Sequence, residues 1–81
     1  MKIVYSGRFF DFLEAAPELV QKAFYKQLHF LARNLRHPSL RAKKYDESSG
    51  LWQARVTQDW RFYFTVEGDE YHLHSIKRHP K

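Results

Sequence analysis

The sequence LWQARVTQDWRFYFTVEGDEYHLHSIKRH, residues 51–79, decides the fold of this chain. It contains three strand-like runs, 51–57, 60–66 and 71–79, and two short polar segments separate them. An alternation of side-chain character with a period of two is typical of β-strands, because successive side chains point to opposite faces of a sheet. Since tight turns join neighbouring strands as antiparallel pairs, this stretch predicts an antiparallel meander.

The middle run has an apolar face and a chemically active face. The apolar face is formed by Trp60, Phe62, Phe64 and Val66, and these residues alternate with Arg61, Tyr63 and Thr65. The apolar set should pack in the core, so Arg61 and Tyr63 should look outward from the middle of the sheet. An arginine in that position is costly to place without an anion or a carboxylate as its partner. We therefore expect this face to contact an anion.

The register of the first run decides which side chain lies beside Arg61. A plain two-residue turn at Gln58 and Asp59 would place Trp52 on the face of Arg61, whereas a single bulge would place Arg55 there. Each register buries an awkward side chain. Trp52 and Arg55 are therefore alternatives, with Arg55 slightly preferred as the functional neighbour.

The N-terminal half predicts one strand and two helices. Residues 2–5 have the pattern of a short strand. A helix is expected up to residue 15, because Pro17 interrupts it and suits the first turn of a second helix. The second helix should end near Asn34, since the residue before Pro38 is disfavoured in helical geometry. An apolar stripe marks its buried side: Val20, Phe24, Leu28, Leu31 and Leu35. The polar residues mostly take the solvent side: Gln21, Lys22, Lys26, Gln27 and Arg33.

The predicted order is β-α-α-β-β-β, and residues 39–50 are expected to form a basic and then polar connection between the second helix and the last three strands. This is an α+β fold in which a helix hairpin packs on one face of a small antiparallel sheet and leaves the other face open. Residues 1–81 should form a single domain, because a chain of 81 residues supports one hydrophobic core. In a simple meander, His79, Arg61, Lys43 and Lys44 would surround one concave area.

Composition narrows the class of protein and partner. Fourteen Lys and Arg oppose nine Asp and Glu, which gives a net charge of +5 and favours nucleic acid, an anionic membrane or an acidic protein as partner. The absence of cysteine excludes disulfides, thiolate nucleophiles and Cys-based zinc sites. His72 and His74 share a strand face without a third ligand, so we expect no metal and no cofactor. No run approaches the roughly 18 apolar residues of a membrane span, and no signal peptide is recognisable, so we expect a cytoplasmic protein.

The order and spacing of these residues resemble the RelE/ParE superfamily of toxins from bacterial type II toxin–antitoxin pairs. The pattern is most similar to the RelE-, YafQ- and YoeB-like branch, whose members cleave mRNA. The resemblance covers nearly the whole chain. Its most specific parts are Leu51-Trp52 with Arg55, the run 60–64, and Ile76 with His79.

The resemblance implies a metal-independent, ribosome-dependent mRNA endoribonuclease that inhibits translation and leaves 2′,3′-cyclic phosphate and 5′-hydroxyl ends. It also implies two kinds of partner: a cognate acidic antitoxin, and mRNA on the ribosome with contacts to 16S and 23S rRNA. ParE-like members share the fold without the cleavage residues and poison DNA gyrase. A gyrase-directed toxin, or an inactive relative that binds RNA or protein, is therefore the alternative.

The resemblance implies four catalytic positions. Arg61 matches the strand arginine that holds the scissile phosphate, and His79 matches the catalytic histidine of YafQ-like and YoeB-like members. Asp59 begins an Asp-Trp pair found at the YafQ-like active site, and Arg55 falls where that branch has a functional histidine. Residue chemistry adds candidates for RNA and phosphate binding. They are Lys43, Lys44, Trp52, Tyr63 and Arg78.

The sequence departs from the family pattern at two places. Trp52 and Ala54 occupy the positions of the two strand lysines that are typical of RelE itself. Most members also continue past the final histidine into a Tyr or Phe that stacks on RNA, whereas the sequence given ends at Lys81. The resemblance therefore assigns no such stacking residue here.

Overall fold

The computed structural model describes residues 1–79, so Lys81 lies outside the described residues. The helical half comprises β1 (Lys2–Tyr5), α1 (Phe9–Ala15), α2 (Glu18–Arg33) and a 3₁₀ turn (Pro38–Leu40). The sheet is completed by β2 (Lys43–Asp46), β3 (Leu51–Arg55), β4 (Trp60–Glu67) and β5 (Glu70–Arg78). The predicted α+β fold is confirmed, and β2 is an additional strand.

The two helices end where the sequence predicts. Ala16 caps α1 in an extended conformation, and Pro17 precedes α2 as its N-cap, one position earlier than expected. At the other end of α2, Asn34 is extended and donates its N–H to the carbonyl of Phe30. The ring of Phe9 contacts that of Phe24, with 5.2 Å between the ring centroids, so the helices pack on each other. No helix among residues 1–79 is long and apolar enough to cross a membrane.

The sheet has five strands in the order β1-β5-β4-β3-β2, and it is mixed. Strands β2 to β5 pair antiparallel, but β1 runs parallel to β5. The prediction of a purely antiparallel sheet is wrong in this detail. The helix hairpin follows β1 and carries the chain across the sheet, and a crossover of this kind is what a parallel pair requires.

Strand β2 lies in a segment that was expected to be a basic and then polar connection. Its residues, KKYD, show no alternation, and all four are exposed. The strand forms because the outer edge of β3 offers unpaired backbone groups, and charged side chains are typical of such an edge strand. Its pairing places Lys43 opposite Gln53 and Lys44 opposite Trp52.

The core lies between the helices and one face of the sheet. Phe62, Phe64 and Leu73 are fully buried there, and the ring of Phe62 packs edge-on against Phe24 of α2, with 5.5 Å between the centroids. The predicted apolar face of β4 is therefore confirmed for its central residues, but Val66 near the end of the strand is 39% exposed, so its predicted packing in the core is wrong. The opposite face of the sheet carries Arg55, Arg61 and their neighbours, and we call it the open face.

The turn between β3 and β4 settles the register. The N–H groups of Val56 and Thr57 both donate to the carbonyl of Trp60, at 2.9 and 3.2 Å. Two residues that follow β3 therefore face one residue of β4, and this arrangement is a bulge. Arg55 consequently lies opposite Arg61. Trp52 lies opposite Phe64 instead, on the core face of the sheet, so the alternative with Trp52 beside Arg61 is wrong.

Candidate phosphate site at one end of the open face

A cavity of about 190 Å³ opens beside the β3–β4 turn, and we call it the phosphate cavity. It is lined by Arg41, Lys43, Gln53, Arg55, Arg61 and His79. The concave area expected from the sequence is therefore present, and it includes His79, Arg61 and Lys43. Four of its lining residues are arginine or lysine, and no described residue that lines it is acidic.

Arg61 is held at this site by the backbone of the turn. Its Nη1 atom donates to the carbonyls of Thr57, Gln58 and Trp60, at 2.7, 3.1 and 2.9 Å. Among the described residues, its other guanidinium nitrogens make no hydrogen bond to protein. Burial, and next the repulsion from Arg55, lower the pKa of the Arg61 guanidinium. The side chain is thus fixed in place and still has donors for a ligand.

The backbone of Arg55 is held in position by a side chain of α2 on the core side of the sheet. The amide of Gln27 donates to the carbonyls of Arg55 and Ser39, each at 2.9 Å, and its oxygen accepts from the Ser39 hydroxyl. Sequence periodicity placed Gln27 on the solvent side of α2, which is wrong: it is 4% exposed. The Nε atom of Arg55 is buried without a hydrogen-bond partner in the described structure. This nitrogen is a donor that a bound anion would satisfy.

His79 reaches the cavity because the end of β5 is tied to the β3–β4 turn. Its backbone N–H donates to the carbonyl of Asp59 at 2.6 Å. The Nδ1 atom of His79 is buried and has no hydrogen-bond partner in the described structure. Asp59 therefore belongs to the site through its backbone, and its charge partly offsets the effects that lower the pKa of Arg61. The catalytic roles of these residues stay predictions.

Arg41 and Gln53 are site residues that sequence reasoning missed. Arg41 follows the 3₁₀ turn and has a φ of 46°, in the left-handed region that non-glycine residues rarely adopt. Gln53 lies opposite Lys43 and Tyr63 at the centre of the open face. The basic segment was a visible signal for Arg41, but neither its backbone conformation nor the strand β2 could be predicted.

Four predicted RNA contacts lie outside the phosphate cavity. Lys44 and Trp52 are on the core side of the sheet, where the Lys44 ammonium lies 5.5 Å from the centre of the Trp52 ring. Tyr63 and Arg78 line a second cavity on the open face. The predicted residues thus lie in three places: some line the phosphate cavity, Tyr63 and Arg78 line the second cavity, and Lys44 and Trp52 lie on the core side of the sheet. Their roles in RNA binding stay predictions.

The opposite end of the open face, at the β4–β5 hairpin, is also charged but is internally paired. His72 lies between two carboxylates, 3.4 Å from Glu67 and 2.9 Å from Glu70. The Thr65 hydroxyl donates to Glu67, so His74 must donate its Nε2 proton to Thr65, each contact being 2.9 Å. Among the described residues, no group of three or more His, Cys, Asp or Glu side chains could hold a metal ion.

Solved structures with the same fold are numerous, although no family model and no curated protein matches the chain. A YoeB/ParE toxin from Agrobacterium tumefaciens is 17% identical with a TM-score of 0.80, over 99% of this chain and 100% of that one. The archaeal RelE–RelB complex from Pyrococcus horikoshii OT3 is 14% identical with a TM-score of 0.80, over 99% of this chain and 96% of that one. The heterotetrameric YoeB–YefM complex from Staphylococcus aureus is 20% identical with a TM-score of 0.74, over 99% of this chain and 98% of that one. The chain therefore has the RelE/ParE-like fold.

Proposed function

We propose that this chain is the toxin of a type II toxin–antitoxin pair and that it cleaves mRNA on the ribosome without a metal ion. The observation that carries the proposal is the phosphate cavity, where four cationic side chains and His79 converge. A phosphodiester matches this lining, because guanidinium groups bind phosphate oxygens through charge-assisted hydrogen bonds. The fold supports the same interpretation, since the Agrobacterium tumefaciens structure that shares it is described as a toxin and the Staphylococcus aureus structure as a toxin–antitoxin complex.

Arg61 would stabilise the charge that develops on the scissile phosphate. Three backbone carbonyls hold one of its nitrogens, so the guanidinium is already oriented before RNA binds. Preoriented donors stabilise a transition state without a reorganisation cost at the moment of reaction. Arg55 lies directly opposite and would add a second cation to the same phosphate, while Lys43 would hold a flanking one.

His79 would move the proton in this scheme. Attack by the 2′-hydroxyl requires a base, and departure of the 5′-oxygen requires an acid, and imidazole serves both roles near neutral pH. The hydrogen bond from its backbone to Asp59 keeps the residue at the cavity. The expected products are a 2′,3′-cyclic phosphate and a 5′-hydroxyl.

An acidic antitoxin is the proposed protein partner. The RelE and YoeB structures named above are complexes with RelB and YefM. The chain has a net charge of +5, which would accelerate association with an acidic protein. The same attraction would fall with added salt.

A non-nuclease toxin that acts on DNA gyrase is the second candidate. One observation favours it: the three hydrogen bonds from Arg61 to the turn are also what an arginine with a purely structural role would make. In that reading the basic cavity would bind a protein or DNA surface, and His79 would have no chemical task.

The deciding experiment compares inducible expression of the wild type, Arg61→Ala and His79→Ala, with mapping of mRNA 5′ ends in translating cells. We expect growth arrest and new 5′ ends inside reading frames for the wild type, and at least about a hundredfold loss of cleavage in each variant. His29→Ala and Arg33→Ala are the controls, because both residues are exposed on α2. Growth arrest with intact mRNA would support the gyrase candidate instead.

A further inference from the structure

A second cavity of about 190 Å³ lies next to the phosphate cavity on the open face, and we call it the tyrosine cavity. It is lined by Tyr45, Leu51, Tyr63, Ser75, Lys77 and Arg78. Gln53, which lines the phosphate cavity, lies directly opposite Tyr63 across the sheet. The two cavities are therefore neighbours along the same strands.

The tyrosine cavity has an aromatic wall that a ligand can reach. The rings of Tyr45 and Tyr63 meet nearly edge to face, with 5.1 Å between their centroids. Tyr63 is only 7% exposed, whereas Tyr45 is 59% exposed. Burial, followed by the neighbouring Tyr45, raises the pKa of the Tyr63 hydroxyl, so this hydroxyl carries no negative charge at neutral pH. An exposed ring beside cations is a surface suited to nucleobase stacking.

The spacing of the two cavities matches neighbouring parts of one RNA strand. Tyr63 is two residues from Arg61 on β4, which corresponds to about 7 Å along a strand. That is comparable to the separation of successive phosphates in an extended single strand. A phosphate held by Arg61 would therefore place an adjacent base over the tyrosine cavity.

The rim of the tyrosine cavity is basic. Arg78 is exposed there and is available for a flanking phosphate. Lys77 contributes mainly its aliphatic stem, because its ammonium lies 5.9 Å from the centre of the Phe12 ring on α1. The rim cation and the apolar interior together favour a ligand with an anionic backbone and a flat ring.

We propose that the tyrosine cavity binds one unpaired nucleobase of the strand whose phosphate occupies the phosphate cavity, with Tyr45 as the stacking residue. The inference rests on the proposed RNA substrate and extends it to a base subsite. Paired bases are not available for stacking on a side chain, so the subsite would select single-stranded RNA. Because Tyr45 lies on the edge strand β2, this contact depends on an element that only the structure reveals.

The test measures binding of two labelled pentanucleotides by fluorescence anisotropy. Both carry 2′-O-methyl groups that block cleavage, and one of them is abasic at every position. We expect Tyr45→Ala to bind the base-containing pentamer about tenfold more weakly and the abasic one with unchanged affinity. Tyr45→Phe should bind both like the wild type, because stacking does not need the hydroxyl. Arg61→Ala should weaken both, since the phosphates are common to them.

Tyr25→Ala is the matched control, because Tyr25 is 52% exposed on α2. Equal weakening of both pentamers by Tyr45→Ala, or no weakening of either, would overturn the base subsite while the phosphate assignment stands. If Tyr45→Ala lowers affinity only for an acidic antitoxin, the cavity is a protein contact and the base subsite is wrong. A wild type that binds neither pentamer at millimolar concentration would overturn the base subsite, whereas cleavage of mRNA on the ribosome is decided separately by the mapping of mRNA 5′ ends.

Discussion

The two ends of the open face each hold a pair of like charges, but their surroundings differ. At the β3–β4 turn, Arg55 lies directly across the sheet from Arg61. At the β4–β5 hairpin, Glu67 lies directly across from Glu70, but His72 bridges the two carboxylates. Like charges that face each other across strands are destabilising. At the hairpin end the imidazole contacts both carboxylates, whereas at the turn end the charge of Asp59 offsets part of the effects that lower the pKa of Arg61.

The difference shows where a ligand is expected. Carboxylates that already contact an imidazole of the same chain have little left to offer a ligand. Two opposed arginines, one with a buried Nε that lacks a hydrogen-bond partner in the described structure, cost stability until an anion binds. Functional sites commonly hold such residues at the expense of stability.

The largest expected effect is at Arg55. Arg55→Gln removes the charge opposite Arg61 and the unsatisfied nitrogen. We expect affinity for single-stranded RNA to fall about ten- to a hundredfold, because one charge-assisted contact to phosphate is lost. We expect the free energy of unfolding to rise by about 0.5–1 kcal/mol, because the repulsion is relieved. Anisotropy measures the first quantity and urea unfolding the second.

The salt dependence of binding provides a check on this prediction. Each phosphate contact contributes a slope of about −0.7 in a plot of log affinity against log salt for single strands, so Arg55→Gln should make the slope shallower by about that amount. Arg36→Gln, a substitution at an exposed position outside the helices, is the control and should change neither slope nor stability. Lower stability of Arg55→Gln would mean that Arg55 has a structural partner.

A substitution in the β4–β5 hairpin should lower stability and leave RNA affinity nearly unchanged. His72→Ala leaves Glu67 and Glu70 opposed without the imidazole between them. We expect the free energy of unfolding to fall by about 0.5–1 kcal/mol and the affinity for RNA to stay within twofold. The double variant His72→Ala/Glu67→Gln should recover most of the loss in urea unfolding. A large loss of RNA affinity in His72→Ala would extend the binding site along the whole open face.

Much of the fold was predictable from local sequence signals. The alternation in β4, the stripe on α2 and the break at Pro17 are determined by residues close in the chain, and the structure confirms them. Strand β2 was not predictable, because KKYD has no strand pattern of its own and pairs only because β3 offers a free edge. The parallel pairing of β1 depends likewise on a distant partner, β5.

The candidate site was predictable as a set of residue types but not as a geometry. Sequence left Trp52 and Arg55 as alternatives, and a bulge of one residue at Val56 and Thr57 decided between them. Gln27 was misplaced because periodicity treats glutamine as a surface residue, whereas its amide is satisfied by buried carbonyls. Hydrogen bonds within the β3–β4 turn determined the first outcome, and hydrogen bonds between distant segments determined the second. The periodicity of the side chains encodes neither.

Substitutions that test the backbone conformation are expected to have effects at the same two ends. Gly68 in the hairpin and Arg41 at the phosphate cavity both have positive φ, 62° and 46°. Glycine adopts this region freely, whereas a residue with a Cβ is destabilised there by about 1 kcal/mol. Gly68→Ala should therefore lower stability by about 0.5–1 kcal/mol, and open space around its Cβ position leaves the backbone as the cause. Arg41→Gly should be more stable than Arg41→Ala by a similar amount.

Comparing the two Arg41 variants separates charge from conformation. Both lose the guanidinium that lines the phosphate cavity, so both should bind RNA more weakly by the same factor of about three to ten. Urea unfolding should rank the glycine variant above the alanine variant, since only glycine relieves the left-handed conformation. Equal stability of the two variants would show that the 3₁₀ turn relaxes when Arg41 is removed. The left-handed conformation would then be caused by contacts of the Arg41 side chain and not by the backbone geometry of the loop.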